Sequence, residues 1–95
     1  MQLLNELRVV EVGEMVAAPY AAKLLADLGA SVIKVESAAG DRSRRCGPFP
    51  PGAPDDPEQS GLFLGLNTNK QNIVLDLDNE LDQQTLRGLI GDADI

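Results

Sequence analysis

The order of apolar and polar segments along the chain predicts three β-strands separated by helices. The strands are short runs rich in valine, isoleucine and leucine at residues 7–12, 31–36 and 72–77. The first helix begins near Pro19, because proline lacks a backbone N–H and suits a first turn, and it ends before Gly29. The first two strands and this helix form a βαβ unit, in which the strands run parallel.

Both predicted helices carry apolar residues at the i, i+3, i+4, i+7 spacing that marks one helical face. In the first helix these residues are Ala21, Leu24, Leu25 and Leu28. The second helix begins at Glu80, with Asp78 or Asn79 as its N-cap. Its apolar face consists of Leu86, Leu89, Ile90 and Ala93. We expect each face to pack against the sheet.

Two segments lie outside this pattern of strands and helices. Residues 38–61 are rich in proline and glycine and carry an arginine cluster, so they are predicted to form one long loop. Residues 93–95, Ala-Asp-Ile, follow the second helix as the first residues of a fourth strand would. We therefore expect an α/β fold with an open parallel sheet, incomplete at its C-terminus, within a longer protein. The alternative is the frayed end of a complete small domain.

Composition excludes several kinds of chemistry from this chain. Histidine is absent, so imidazole-based acid–base catalysis, histidine-activated nucleophiles and imidazole metal ligands are excluded within these 95 residues. The single cysteine, Cys46, rules out an internal disulfide and a zinc site of four cysteines. We expect neither a metal site nor a catalytic role for Cys46.

The charge and hydropathy of the chain narrow the choice of partners. The net charge is −7, so neither nucleic acid nor an anionic membrane is an expected partner, because both require Lys and Arg to neutralise phosphate. No apolar segment is long enough for a secretory signal or a membrane span. The cytoplasm is therefore the expected location.

The turn after the first strand is the place where an open α/β sheet usually binds a nucleotide-like ligand. Residues 13–19 read Gly-Glu-Met-Val-Ala-Ala-Pro, which lacks the G-x-G-x-x-G pattern of a nicotinamide dinucleotide site. Glu36 ends the second strand where a ribose-binding acid belongs, but a solvated strand end is the favoured interpretation. The small residues Ala17 and Ala18 would let a ligand approach the helix N-terminus.

Two charged groups remain as candidates for ligand binding. Residues 42–45 contain three arginines, which either bind phosphate through bidentate hydrogen bonds or form a solvated loop. Asp76 and Asp78 flank Leu77 on the third predicted strand, so they point to one face. They are either paired acids or, as we favour, a strand end and a helix cap.

Taken in order, these segments resemble the N-terminal part of the family III CoA-transferases, the CaiB/BaiF type. The resemblance covers essentially the whole chain, in several blocks at family-like spacing. The matching blocks are residues 8–13, 16–20, 24–36, 40–41, 47–48, 60–63, 67–70, 75–77 and 93–95.

The resemblance implies that residues 1–95 are the N-terminal part of a Rossmann-like domain that binds CoA. The family moves CoA between carboxylic acids, forms interlocked homodimers, and uses an aspartate nucleophile that lies downstream of residue 95. No residue of this chain is then expected to be catalytic, and coenzyme A or acyl-CoA is the bound substrate. α-Methylacyl-CoA racemases share this N-terminal pattern, so that reaction stays open. A stand-alone, non-catalytic α/β binding module is the third alternative.

The resemblance also implies which residues contact CoA. Val16 and Ala17 occupy the contact positions of the first turn, although Ala18 replaces the family's usual glycine before Pro19. The adenine-nucleotide side would be lined by Leu75, Asp76, Leu77 and Asp78. Some members have a phosphate-binding arginine where this chain has Ser37. An arginine of the cluster, Arg42, Arg44 or Arg45, would compensate for it.

Overall fold

The computed structural model describes residues 3–95, which form an open parallel sheet of three strands with helices packed against it. A short 3₁₀ turn follows the second strand and precedes a short helix at residues 61–66. The elements in chain order are β1 (Arg8–Glu11), α1 (Ala17–Asp27), β2 (Ser31–Glu36), the 3₁₀ turn (Arg42–Arg45), α2 (Gly61–Leu66), β3 (Gln71–Val74) and α3 (Glu80–Asp92).

The sheet confirms the predicted α/β class and the parallel βαβ unit. Its strand order is β1-β2-β3, and both pairs are parallel. Val9 lies opposite Val32, and two residues later Glu11 lies opposite Lys34, so both pairs face the same side of the sheet. β3 is shorter than predicted, although the Leu75 N–H still donates to the Glu36 carbonyl at 2.9 Å.

The last residues of the chain lie along the edge of β1 that faces away from β2. The Ile95 N–H donates to the Arg8 carbonyl at 3.2 Å, and the Val10 N–H donates to the Ile95 carbonyl at 3.0 Å. This alternation of bonds on either side of Val9 is that of a parallel pair. Residues 93–95 therefore occupy the position that a fourth parallel strand would take.

The face of α1 that packs on the sheet differs from the predicted one. Ala22 and Ala26 are buried and join Val9 and Val32 in the core. Most of the predicted face is exposed, namely Ala21, Leu24 and Leu28, and only Leu25 packs against the core. The helix is apolar nearly all round, so its periodicity could not select the buried face, and small side chains allow the closest approach to the sheet.

Helix α3 begins at the predicted residue and covers the opposite side of β1. The Asn79 side chain accepts from the N–H groups of Leu81 and Asp82 at 2.9 and 3.2 Å, so Asn79 and not Asp78 is the N-cap. No residue of α3 is buried. Its predicted apolar face is half-buried at Leu86, Leu89 and Ala93, while Ile90 is exposed.

The predicted loop at residues 38–61 contains local structure that the sequence pattern did not reveal. The 3₁₀ turn lies within it, and α2 begins at its end, with the Ser60 hydroxyl accepting from the Phe63 N–H at 3.2 Å. Six residues are too few to display helical periodicity, which is why α2 was missed. Across residues 3–95, every helix is too short or too polar to cross a membrane.

We predict that the two neighbouring alanines of α1 respond differently to enlargement. Ala22→Leu should destabilise the fold by about 1–3 kcal/mol, because it overfills the contact between α1 and the sheet. Ala21→Leu, on the exposed side, should change the free energy of unfolding by less than about 0.5 kcal/mol. Urea unfolding of both variants measures this, and a larger loss for Ala21→Leu would contradict the observed packing.

Candidate functional site: a cleft at the carboxyl ends of the strands

A cleft of about 550 Å³ lies at the carboxyl ends of the three strands. Its walls come from the turn after β1, the end of β2 with the residues that follow it, and the segment after β3. This edge of an open parallel sheet is where ligands bind in α/β proteins. The lining residues are Val12, Gly13, Glu14, Lys34, Val35, Glu36, Ser37, Ala38, Ala39, Asp41, Leu75, Asp76, Leu77 and Asp78.

A buried cluster of four charged residues supports this end of the sheet. The Lys34 ammonium lies 2.6 Å from Glu11 Oε2 and 2.8 Å from Asp41 Oδ2, and the Lys70 ammonium lies 2.5 Å from Glu11 Oε1. All four side chains are at most 2% exposed. Two cations and two anions balance one another, which is the condition under which buried charges are tolerated.

The two lysines of the cluster differ in their protonation behaviour. Burial lowers the pKa of Lys34, but its hydrogen bonds to Asp41 and Glu11 outweigh that effect, so its pKa is raised above the usual value. Lys70 forms an ion pair with Glu11, but burial outweighs the effect of this pair and keeps the pKa of Lys70 below the usual value. Lys34 is thus the more firmly charged of the two.

Glu36 is neither solvated nor available to a ribose, so the favoured interpretation of it as a solvated strand end is wrong. Both carboxylate oxygens accept from the Arg44 guanidinium at 2.8 Å. The Asp41 N–H and the Asn72 side chain also donate to it, at 2.7 and 2.6 Å. The pair with Arg44, more than the opposing effect of burial, lowers the pKa of Glu36 to about 2. The Glu36 carboxylate therefore holds the loop to the sheet.

The arginine cluster divides into one internal and two external residues. The Arg44 guanidinium binds Glu36 and lies 3.7 Å from the centre of the Phe63 ring, so Arg44 is not free to bind phosphate. Arg42 and Arg45 are three residues apart in a 3₁₀ turn, which places them on one side, and both are exposed.

Both external arginines reach residues that line the cleft. Arg42 Nε donates to Glu14 Oε2 at 2.8 Å, and Arg45 Nη2 donates to the Ala39 carbonyl at 3.4 Å. Neither arginine belongs to the lining itself, and we call this position, outside the lining but bonded to it, the rim of the cleft.

The structure brings together only part of the predicted contact set. Leu75, Asp76, Leu77 and Asp78 all line the cleft. Asp76 and Asp78 were predicted to lie on the third strand, but β3 ends at Val74, so both follow the strand. The Asp78 N–H donates to the Asp76 side chain at 3.0 Å.

Val16 and Ala17 lie outside the cleft lining. Val16 precedes α1 and is 50% exposed, and Ala17 is the first helical residue. Sequence reasoning overlooked Lys34 and Asp41 as parts of the site. A lysine inside the apolar second strand was the signal that could have indicated the buried cluster. Within residues 3–95, no group of three or more acidic or Cys side chains has the arrangement of a metal site.

Comparison with known proteins identifies the family to which the chain belongs. The model of CoA-transferase family III matches residues 4–95. The chain belongs to this family. Succinyl-CoA:mesaconate CoA-transferase of Haloarcula hispanica is 37% identical over 95 residues, which are 100% of this chain and 24% of that protein. The succinyl-CoA:(R)-benzylsuccinate CoA-transferase subunit BbsE of Thauera aromatica is 41% identical over 93 residues, covering 96% of this chain and 22% of that protein.

A solved structure of the family has the same fold over nearly the whole chain. The crystal structure of a CaiB/BaiF family protein from Brucella suis superposes with a TM-score of 0.85 and 35% sequence identity. The match covers 98% of this chain and 24% of that one. The chain therefore spans between 22% and 24% of the length of these relatives.

We predict that the fold loses stability as the pH falls from about 4.5 towards 2. The pKa of Glu36 and that of Asp41 are both about 2 in the folded chain and higher when it unfolds, so unfolding takes up protons in this range. Glu36→Gln should lower stability at neutral pH and flatten this dependence. Urea unfolding at several pH values measures both effects.

Glu58→Gln serves as the matched control for Glu36→Gln. The Glu58 carboxylate also pairs with Arg44, at 3.5 Å, but its side chain is 81% exposed. Exposed ion pairs contribute little, so this variant should keep the wild-type dependence on pH. A wild-type slope in Glu36→Gln would contradict the role given to Glu36.

Proposed function

We propose that this chain is the CoA-binding N-terminal segment of an acyl-CoA:carboxylate CoA-transferase, within a Rossmann-like domain. The observation that carries the proposal is a cleft at the carboxyl edge of a parallel sheet, with the exposed Arg42 and Arg45 at its rim. Membership of the family supports it. The position of residues 93–95 beside β1 also supports it, because the strand order 3-2-1-4 is that of a Rossmann fold.

The cleft offers suitable groups for each part of the CoA nucleotide. Apolar contact for the adenine base comes from Val12, Leu75 and Leu77. The carboxylates of Asp76 and Asp78, both exposed, are acceptors that suit ribose hydroxyls. Phosphates would lie at the rim near Arg42 and Arg45. Arg44 takes no part, because Glu36 holds its guanidinium.

Two further contacts belong to the start of α1. Val16 is the last residue of the turn that forms one wall of the cleft, and Ala17 is the first residue of α1. We propose that they contact the chain of CoA that leads away from the nucleotide. The small side chain of Ala17 leaves the unpaired N–H groups of the first helical turn accessible, so they can donate to the amide carbonyls of that chain.

The reaction itself is assigned to residues beyond this chain. We propose that an aspartate downstream of residue 95 attacks the acyl-CoA thioester, forms a mixed anhydride and releases the CoA thiolate. The thiolate then attacks the aspartyl carbonyl, which gives an aspartyl-CoA thioester and releases the donor carboxylate. The acceptor carboxylate attacks this thioester, and the same two steps in reverse transfer CoA to the acceptor and free the aspartate. This chain supplies binding and orientation of the CoA nucleotide. We propose an interlocked homodimer as the assembly.

We predict that the double variant Arg42→Ala/Arg45→Ala weakens CoA binding by at least about tenfold, because charge-assisted hydrogen bonds to phosphate are lost. Isothermal titration of the protein that carries this chain measures the dissociation constant. The affinity for an acyl-pantetheine, which lacks the nucleotide phosphates, should not change.

The control for this experiment is Arg87→Ala, since Arg87 is exposed on α3 and lies outside the loop that carries Arg42 and Arg45. Removal of Arg87 should leave the CoA dissociation constant within about twofold, since a single exposed charge contributes little. An unchanged dissociation constant in the double variant would overturn the phosphate role of Arg42 and Arg45.

The reaction is tested by thioester exchange with the same protein. We expect CoA to pass from succinyl-CoA to other short carboxylic acids, with the 95-residue chain alone showing no turnover. Mass spectrometry of the acyl-CoA products measures the transfer. Exchange of the α-proton of a 2-methylacyl-CoA with solvent, without any transfer of CoA, would instead support the racemase and overturn the transferase.

A further inference from the structure

The turn that joins β1 to α1, residues 13–16, is hydrogen-bonded to two buried charged side chains, those of Lys34 and Asp41. Lys34 Nζ donates to the Gly13 carbonyl at 3.2 Å. The Met15 N–H donates to Asp41 Oδ1 at 3.1 Å. These bonds lie on either side of Glu14, so they fix the orientation of the peptide groups before and after it.

Met15 adopts a backbone conformation that most side chains avoid. Its φ is +69°, in the left-handed region, where a residue other than glycine is strained. The turn also packs tightly, because a Cβ added at Gly13 would lie 2.5 Å from the Ala18 Cβ. Strain of this kind persists only where surrounding groups impose it. The bond from Met15 to Asp41 is a direct candidate for that constraint.

Asp41 is itself rigidly placed. It is 1% exposed, and its Oδ1 accepts from the N–H and the hydroxyl of Ser43 at 2.9 and 2.8 Å. Its Oδ2 is paired with Lys34, and its own N–H donates to Glu36. These four interactions fix the Asp41 carboxylate in place. It can therefore hold the strained Met15 without shifting towards it.

We propose that Asp41 is a positioning residue for the cleft, and that it acts by holding Met15 in the left-handed conformation. Asp41 thereby sets the wall formed by Val12, Gly13 and Glu14. The carboxylate oxygens of Asp41 are already engaged, so its effect on a ligand passes through the turn. That the ligand is CoA rests on the function proposed above, whereas the restraint on Met15 does not.

The restraint is tested first without ligand, by hydrogen exchange of the Met15 amide followed by NMR. In Asp41→Ala this amide should exchange at least about tenfold faster, because its hydrogen-bond acceptor is lost. Asp41→Asn keeps a side-chain carbonyl acceptor and should restore the slow exchange. Asp56→Ala is the matched control, since the Asp56 side chain accepts from the Glu58 N–H at 2.9 Å in the same loop. Unchanged exchange in Asp41→Ala would overturn the proposal.

The consequence for binding is tested with a compensating change at Met15. Asp41→Ala should weaken CoA binding about tenfold, because Met15 would relax in the free protein and binding would have to restore its strained conformation. Adding Met15→Gly should recover most of the affinity, because glycine adopts a positive φ without strain. If Asp41 only stabilised the fold, Met15→Gly would not restore binding. An Asp41→Ala/Met15→Gly variant with the same CoA affinity as Asp41→Ala would therefore overturn the proposal.

A second pair of variants leaves the buried carboxylate in place, in case Asp41→Ala does not fold. Met15→Val, whose branched side chain makes a positive φ costlier, should weaken CoA binding, whereas Met15→Gly should leave it within about twofold. Equal affinities in these two variants would contradict the proposal. Absence of CoA binding by the wild-type protein would instead refute the proposed ligand, and the exchange of the Met15 amide would still decide the restraint.

Discussion

The carboxyl end of the sheet depends on the buried ammonium group of Lys34. It binds Glu11 from β1, Asp41 from the loop after β2, and the Gly13 carbonyl from the first turn. A buried lysine is costly unless its charge is balanced, so these three segments must converge on it for the fold to form. The cleft lies next to this cluster and is lined in part by Gly13, Lys34 and Asp41.

The second ion pair, between Glu36 and Arg44, is joined to the first through Asp41. The Asp41 N–H donates to Glu36 while the Asp41 carboxylate binds Lys34. Arg44 in turn stacks on Phe63 and so connects the loop to α2. This arrangement turns one arginine inward, and the 3₁₀ geometry leaves Arg42 and Arg45 outside, where a phosphate could reach them. The buried pairing of Arg44 is thus separated from the two exposed arginines within four residues.

The candidate site could be predicted from the sequence where it follows strand order and family resemblance. The segment from Leu75 to Asp78 was expected at the ligand and lines the cleft, since the carboxyl ends of parallel strands meet at one edge. Glu36 and Arg44 could not be assigned, because nothing in local pattern shows that a glutamate and an arginine eight residues apart will pair. The restraint on Met15 by Asp41 spans 26 residues and was equally hidden.

The sequence by itself determined the parallel βαβ unit, the start of α3 at Glu80 and the exclusion of histidine chemistry, since these depend on local periodicity, capping and composition. Tertiary structure decided which side of α1 is buried, because a helix that is apolar nearly all round can pack in several orientations and only the close fit of Ala22 and Ala26 selects one. Tertiary structure also decided which charged side chains are buried in ion pairs. Burial and pairing arise from contacts between segments distant in sequence, and no local pattern encodes them.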